Sequence, residues 1–214
     1  MGAPSLAPAG KLIVARRFIC AARAMPAALA LAASTGCATT RQYLALRQVE
    51  FHVDRATDVR LAGILLDHVR SFDDLSIQDG ARLGSALLSQ RLPLVFELHI
   101  IGENPATNRE TARLMRFEWT LLLNGTETVS GSLDTVYTFP PGGLTDVVLP
   151  IRLDVLRFFR VNGRDAFDLA RGLAGAGGRP TEITVRATPT IETPIGAITY
   201  PGAITIVRRT VGGP

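Results

Sequence analysis

The 214 residues are 47% apolar and 20% charged, with 23 Lys and Arg against 19 Asp and Glu, a net charge of +4. That much apolar content excludes a highly hydrated disordered chain, which has too little apolar surface to fold. The positive balance is uneven: Lys11, Arg16, Arg17 and Arg23 all precede Cys37, and the remainder carries 19 basic and 19 acidic residues. A clustered basic surface for nucleic acid is therefore not expected, and neither is a nucleic-acid partner.

Residues 1–36 read as a segment to be removed. Four basic residues with no acidic one among them are followed by the apolar run Ala24 to Ala33 and then by Ser34-Thr35-Gly36-Cys37. A basic region, a short apolar region and small residues make a secretory signal. The run is shorter than the roughly 20 residues a spanning helix needs. Cys37 directly after Gly36 resembles a bacterial lipobox, with Ser34 where leucine is usual, and marks Cys37 as the lipidation site. An ordinary signal peptide with an incidental cysteine is the alternative. Ala38 after the cysteine resembles lipoproteins sorted to the outer membrane and facing the periplasm. The expected divisions are a signal peptide over 1–36, a tether over 37–48, one domain over 49–209 and a tail over 210–214. The 178 residues from Cys37 onward suffice for one core, and their one cysteine allows no internal disulfide.

Val49, Phe51 and Val53 alternate with Glu50, His52 and Asp54, which predicts a first strand; Val59, Leu61 and Leu65 predict a second, with Gly63 marking a bulge or close approach. Ser76 to Gln90 has Leu83, Leu87 and Leu88 at helical spacing but contains Gly80 and Gly84, so a short, weak helix is expected. Asp73, Asp74 and Asp79 lack the spacing of a calcium loop and read as solvated carboxylates.

From Leu92 to Asp134 three consecutive strands are expected, with the rest of the sheet built onto them. Leu92, Leu94, Phe96, Leu98 and Ile100 share one face. Asn104-Pro105 ends that strand. Met115, Phe117, Trp119, Leu121 and Leu123 share the next apolar face, and Asn124-Gly125 predicts a type I′ hairpin turn into Val129, Gly131 and Leu133.

A strand into Asn-Pro, a strand ending in Asn-Gly and the return strand with Ser130-Gly131-Ser132 resemble the LEA type 2 family, also called the WHy (water stress and hypersensitive response) domain. Phe139-Pro140-Pro141-Gly142-Gly143 and Thr193-Pro194-Ile195-Gly196 resemble later landmarks of that family, so the likeness covers roughly Val49 to Arg209. The family often has Asn-Pro-Asn, and here the third position is Ala106. The resemblance implies an all-β fold: a single antiparallel β-sandwich, fibronectin III-like, with one or two short helices. It implies Asn104, Pro105, Asn124 and Gly125 as structural landmarks. It also implies a part in desiccation or stress tolerance through contact with membranes or client proteins, and no reaction.

Further along, Val147, Leu149, Ile151 and Leu153 alternate as a strand, and Asp154 can cap a helix carrying Val155, Leu156 and Phe159. Asn162-Gly163 breaks that helix, which resumes from Arg164 to Leu173. Glycines after Gly172 make a loop with no Gly-Lys-Ser/Thr, so no phosphate loop is expected. Ile183 to Ala187 and Ala203 to Arg209 complete the strands.

Motifs for catalysis are missing: there is no Gly-x-Ser-x-Gly, no His-Glu-x-x-His, and no lysine beyond Lys11. His52, His68 and His99 read as ordinary surface residues, and no metal or cofactor is expected. The sequence thus predicts a non-enzymatic lipoprotein attached to the membrane through its N-terminal lipid. Two alternatives stand beside it. One is a periplasmic carrier of a lipid or other apolar ligand in a groove bounded by Phe158, Phe159, Ala166 and Phe167, which predicts a continuous cavity. The other is an accessory subunit of an envelope complex, which predicts an exposed apolar patch.

Overall fold

A computed structural model describes residues 41, 43–67, 69–177, 180–193 and 196–211, with the backbone alone at 192 and 206–211. The chain divides after Cys37 into two units, and every described residue belongs to the second. Its fold is all-β, two antiparallel sheets with a few short helices. A short helix over residues 43–47 (α1) leads into β1 (Glu50–Leu61), β2 (Ile64–Leu65), α2 (Ile77–Leu88), β3 (Pro93–Glu103), β4 (Ala112–Leu114), β5 (Arg116–Leu123) and β6 (Thr126–Leu133). Then come β7 (Tyr137–Phe139), β8 (Leu144–Asp154), α3 (Val155–Phe158), α4 (Gly163–Leu173), β9 (Thr181–Thr193), β10 (Gly196–Thr199) and β11 (Ile204–Val211).

The first sheet has the order β2-β1-β3-β8; the second runs β6-β5-β9, with β10 and β11 both on the outer side of β9. A small ladder of β4 and β7 stands apart. Alternation sets the inner faces: Leu94, Phe96, Leu98 and Ile100 of β3 are buried, as are Val147, Leu149, Ile151 and Leu153 of β8. Phe117, Trp119 and Leu121 of β5 lie opposite Pro189, Ala187 and Val185 of β9 in register. Phe96, Phe139 and Phe167 are the largest fully buried side chains, each contributing about 2–3 kcal/mol by its removal from water.

Three expectations change. The stretch Leu92 to Asp134 is not the centre of one sheet. β3 belongs to the first sheet, whereas β5 and β6 belong to the second, because the chain crosses between them through residues 104–115. The first expected strand and Val59 and Leu61 of the second form one strand, β1, bent by register shifts at Val53/Arg55 and Thr57/Arg60. Leu65 lies in β2, across a tight turn in which Ala62 has φ 50° and Gly63 φ 81°. The expected tether over 37–48 is part of the fold from residue 43 onward: Ala45 and Leu46 are 1% and 4% exposed.

The turn at Asn124-Gly125 does have two positive φ angles, 51° and 77°, as a type I′ turn requires. On β6, Gly131 faces Trp119 in register, and a Cβ there would fall 2.6 Å from the indole. The glycine leaves the space that the indole occupies against its neighbour strand.

Helix α2 is a full three turns. The Ser76 hydroxyl accepts from the Asp79 N–H at 3.1 Å and caps it, and Asp79 also pairs with Arg82 at 3.1 Å. A Cβ at Gly80 or Gly84 would meet nothing within 4 Å. Each glycine therefore costs the helix its backbone entropy with no packing reason. Gly80→Ala and Gly84→Ala are each expected to stabilise the fold by about 0.5–1 kcal/mol, read as a higher urea midpoint at unchanged slope.

The antiparallel register sorts the loops to two ends. At the near end, where β1 begins, Glu50, Glu103 and Leu144 stand side by side across β1, β3 and β8. That end also carries α1, the 104–111 loop and the 140–143 loop. At the far end stand the Ala62-Gly63 turn and helices α2, α3 and α4. The 11 residues of β3 separate the two ends by about 33 Å.

Candidate functional site

At the near end a pair of buried asparagines ties four segments together. Asn104 is fully buried and Asn108 is 3% exposed. Asn104 Nδ2 donates to the carbonyls of Phe139 at 2.8 Å and Glu110 at 3.1 Å, while its Oδ1 accepts from Asn108 Nδ2 at 2.7 Å. Its main chain is also used: the Asn104 N–H donates to Gly143 O and its carbonyl accepts from the Gly142 N–H. Asn108 Nδ2 then reaches Ala45 O in α1 at 3.0 Å, and its Oδ1 accepts from the Glu110 N–H at 3.3 Å. Buried amides survive only with their donors and acceptors matched, and this pair meets that demand. Pro105 starts the turn closed by the Asn108 N–H on Pro105 O. Ala106, third in the Asn-Pro landmark, is exposed; the second buried asparagine lies two residues later.

Gly102 belongs to the same arrangement. A Cβ there would sit 2.4 Å from the ring of Phe139 and 2.9 Å from that of Phe51, which meet edge to face with centroids 5.5 Å apart. Nearby, Tyr200 stacks on Tyr43 of α1 at 4.5 Å and its hydroxyl donates to Tyr43 O at 2.8 Å. So α1 is held from two sides.

Burial pushes the Tyr200 hydroxyl up to about 12, Tyr43 adding to the shift and Arg47 opposing it. The unfolded phenol ionises near 10. A folded value above the unfolded one means that stability is fully present below about pH 10 and is lost as pH rises toward 12. Urea midpoints measured across that window should fall for the natural protein, and Tyr200→Phe should remove that part of the fall.

On the outer face of the first sheet, His99 Nδ1 lies 2.8 Å from Asp146 Oδ2 and Nε2 lies 3.0 Å from Thr57 Oγ1. Arg55 approaches the same carboxylate at 3.8 Å and also pairs with Asp54. Hydroxyl, imidazole and carboxylate in series are the order of a nucleophilic triad. Acyl transfer also needs donors aimed at the developing oxyanion. The β3–β8 ladder under His99 and Asp146 is in register from Pro93 opposite Asp154 through Glu103 opposite Leu144, while Thr57 stands at a register shift of β1. The cluster fits diagonal cross-strand pairing.

His52 is exposed on β1, while His68 and Cys37 lie outside the described residues, as do Pro194 and Ile195. Among the described residues, no group of three or more His, Cys, Asp or Glu is placed to hold a metal. Asp74 instead closes the capping box with Ser71, and the Asp79 carboxylate accepts from the Ser76 hydroxyl and pairs with Arg82.

The candidate groove changes most. Asp154 caps α3, its Oδ1 accepting from Leu156 N at 3.1 Å and from Leu92 N at 3.0 Å. Asn162 caps α4 through Asp165 N at 2.9 Å. α4 then turns Ala166 and Phe167 into the core, both fully buried, with Phe167 edge to face against Phe72. These two residues do not line a groove. Phe158 and Phe159 remain half-buried. Phe159 edges a depression of about 330 Å³ lined also by Asn124, Val161, Leu169 and Pro180, and a wider one of about 920 Å³ toward Leu87 and Arg157. Asn124 extends the second sheet beyond its turn, exchanging hydrogen bonds with the Glu182 main chain at 2.9 and 3.0 Å.

Among solved structures the chain is similar to the solution structure of a candidate late embryogenesis abundant (LEA) protein. The identity is 14% and the TM-score 0.35, over 88% of this chain and 87% of that one. It is also similar to the crystal structure of a protein from Archaeoglobus fulgidus, at 15% identity and TM-score 0.29, over 58% of this chain and 86% of that one. No family model matches the chain, and no curated protein does.

Proposed function

We propose that the chain is a non-enzymatic lipoprotein of the bacterial envelope, held to the outer membrane at Cys37, facing the periplasm, and acting through the exterior of a β-sandwich of the LEA type 2 (WHy) kind. Its contribution is to tolerance of desiccation or related stress, by contact with membranes or client proteins. The observation that carries this reading is the packing of the expected groove. Ala166 and Phe167 of α4 are fully buried in the core with Phe96 and Phe139. Of the four groove residues Phe158 and Phe159 stay half-buried, Phe159 at the edge of the two depressions. Support also comes from the basic and apolar leader ending at Cys37 and from the Asn-Pro and Asn-Gly landmarks.

The test has two parts. The protein extracted from its host membrane should carry an acyl mass on Cys37, and Cys37→Ala should release it to the soluble fraction. Cells lacking the protein should survive drying less well, with recovery on return of the natural chain and not of the Cys37→Ala form. Unchanged survival would remove the stress role. A stoichiometric, solvent-extractable mass on the folded protein in native mass spectrometry would favour a carrier instead.

A further inference from the structure

We infer that the near end of the sandwich, where α1, the 104–111 loop and the segment from Pro140 to Leu144 meet, rests on the lipid bilayer, with Leu44 and Leu144 at the boundary between headgroups and acyl chains. This rests on the lipid anchor at Cys37 proposed above. The six residues from Cys37 to Tyr43 reach at most about 21 Å when fully extended.

Their far attachment is fixed. Tyr43 is stacked and hydrogen-bonded by Tyr200, and Ala45 is held by Asn108, so α1 cannot lengthen the tether without breaking buried contacts. A sandwich standing on its far end would lift Tyr43 about 33 Å above the bilayer, beyond the tether's reach, so the end with the exposed Ile77 and Leu88 is not the one it stands on.

What the near end presents suits a bilayer surface. Leu144 is 67% exposed and Leu44 45% exposed, and Pro140, Pro141 and Ala106 are exposed beside them. The two loops touch, since a Cβ on Gly142 would lie 3.6 Å from Ala106 Cβ. Arg41, Arg47 and Arg109 are exposed at this end, together with Glu50 and Glu103. Arginine stems can lie along the apolar tips with their guanidinium groups at lipid phosphates, whereas the shorter carboxylates stay on the water side.

The experiment uses the lipidated protein isolated from membranes and returned to vesicles of phosphatidylethanolamine and phosphatidylglycerol. An environment-sensitive fluorophore is placed at Leu144→Cys, Leu44→Cys or, at the far end, Leu88→Cys, each an exposed position. Lipids carrying a spin label in the upper acyl chain should quench the probes at 144 and 44 several-fold more than the probe at 88. Equal quenching at the three positions, or stronger quenching at 88, overturns the orientation while an acyl mass on Cys37 keeps the anchor. A protein without acyl mass overturns the anchor and this inference with it.

Discussion

Asn104→Ala is expected to lower stability by about 2–4 kcal/mol, because it removes three hydrogen bonds at once, two of them buried. The carbonyls of Phe139 and Glu110 lose their shared donor, and Asn108 Nδ2 loses the Oδ1 it binds at 2.7 Å. The bonds to Phe139 O and from Asn108 Nδ2 are buried, and the one to Glu110 O is partly so. The loss should appear as a fall in the urea midpoint at constant slope, the sign of a change in stability without a change in the surface exposed. Asn104→Asp should cost still more. It keeps an acceptor for Asn108 but points a carboxylate oxygen at two carbonyls and buries a charge without a counter-charge. If Asn104→Ala costs under about 1 kcal/mol, the pair does not hold the near end together.

Ala166→Trp separates a packed helix from a ligand groove. A groove wall would accept the indole and lose only its ligand. Ala166 is instead fully buried, next to a Phe167 already in contact with Phe72. An indole there must displace the core, which costs upwards of about 3 kcal/mol and is expected to leave little folded protein at room temperature. Ala166→Ser provides the milder companion, a near-isosteric change whose cost is that of one buried hydroxyl. A stable Ala166→Trp protein with an unchanged core would show that α4 lifts from the sheets.

The strands were legible in the sequence because burial on one face imposes a period of two, and β3, β5 and β8 show it directly. The Asn124-Gly125 turn and the Asp154 cap were legible because each needs a particular residue type for a local reason: positive φ in one case and a free carboxylate oxygen in the other. Parity, however, gives the face of a strand and not its partner. Nothing in Leu92 to Asp134 distinguishes a three-stranded sheet from strands shared between two. Helical spacing in Arg164 to Leu173 likewise reported an apolar side without saying that the two sheets cover it. Asn108 left no signal, as it lies in a turn where no periodicity operates and its partners are the Asn104 side chain and main-chain groups up to 63 residues away. The role of α1 was hidden for a similar reason. Its few residues are too short for a helical pattern, and Tyr200, which fixes Tyr43, lies 157 residues further on.

The placement of Trp119 on Gly131 has a spectroscopic consequence. The chain has one tryptophan and three tyrosines. The indole sits in the second sheet, whereas two of the tyrosines form the Tyr43–Tyr200 stack at the near end. Indole emission therefore follows the β5–β6 hairpin, and the near-ultraviolet dichroism of the stacked phenols follows the attachment of α1. In one denaturant titration, coincident curves would mean that the N-terminal helix melts with the sandwich, and an earlier tyrosine transition would mean that it lets go first.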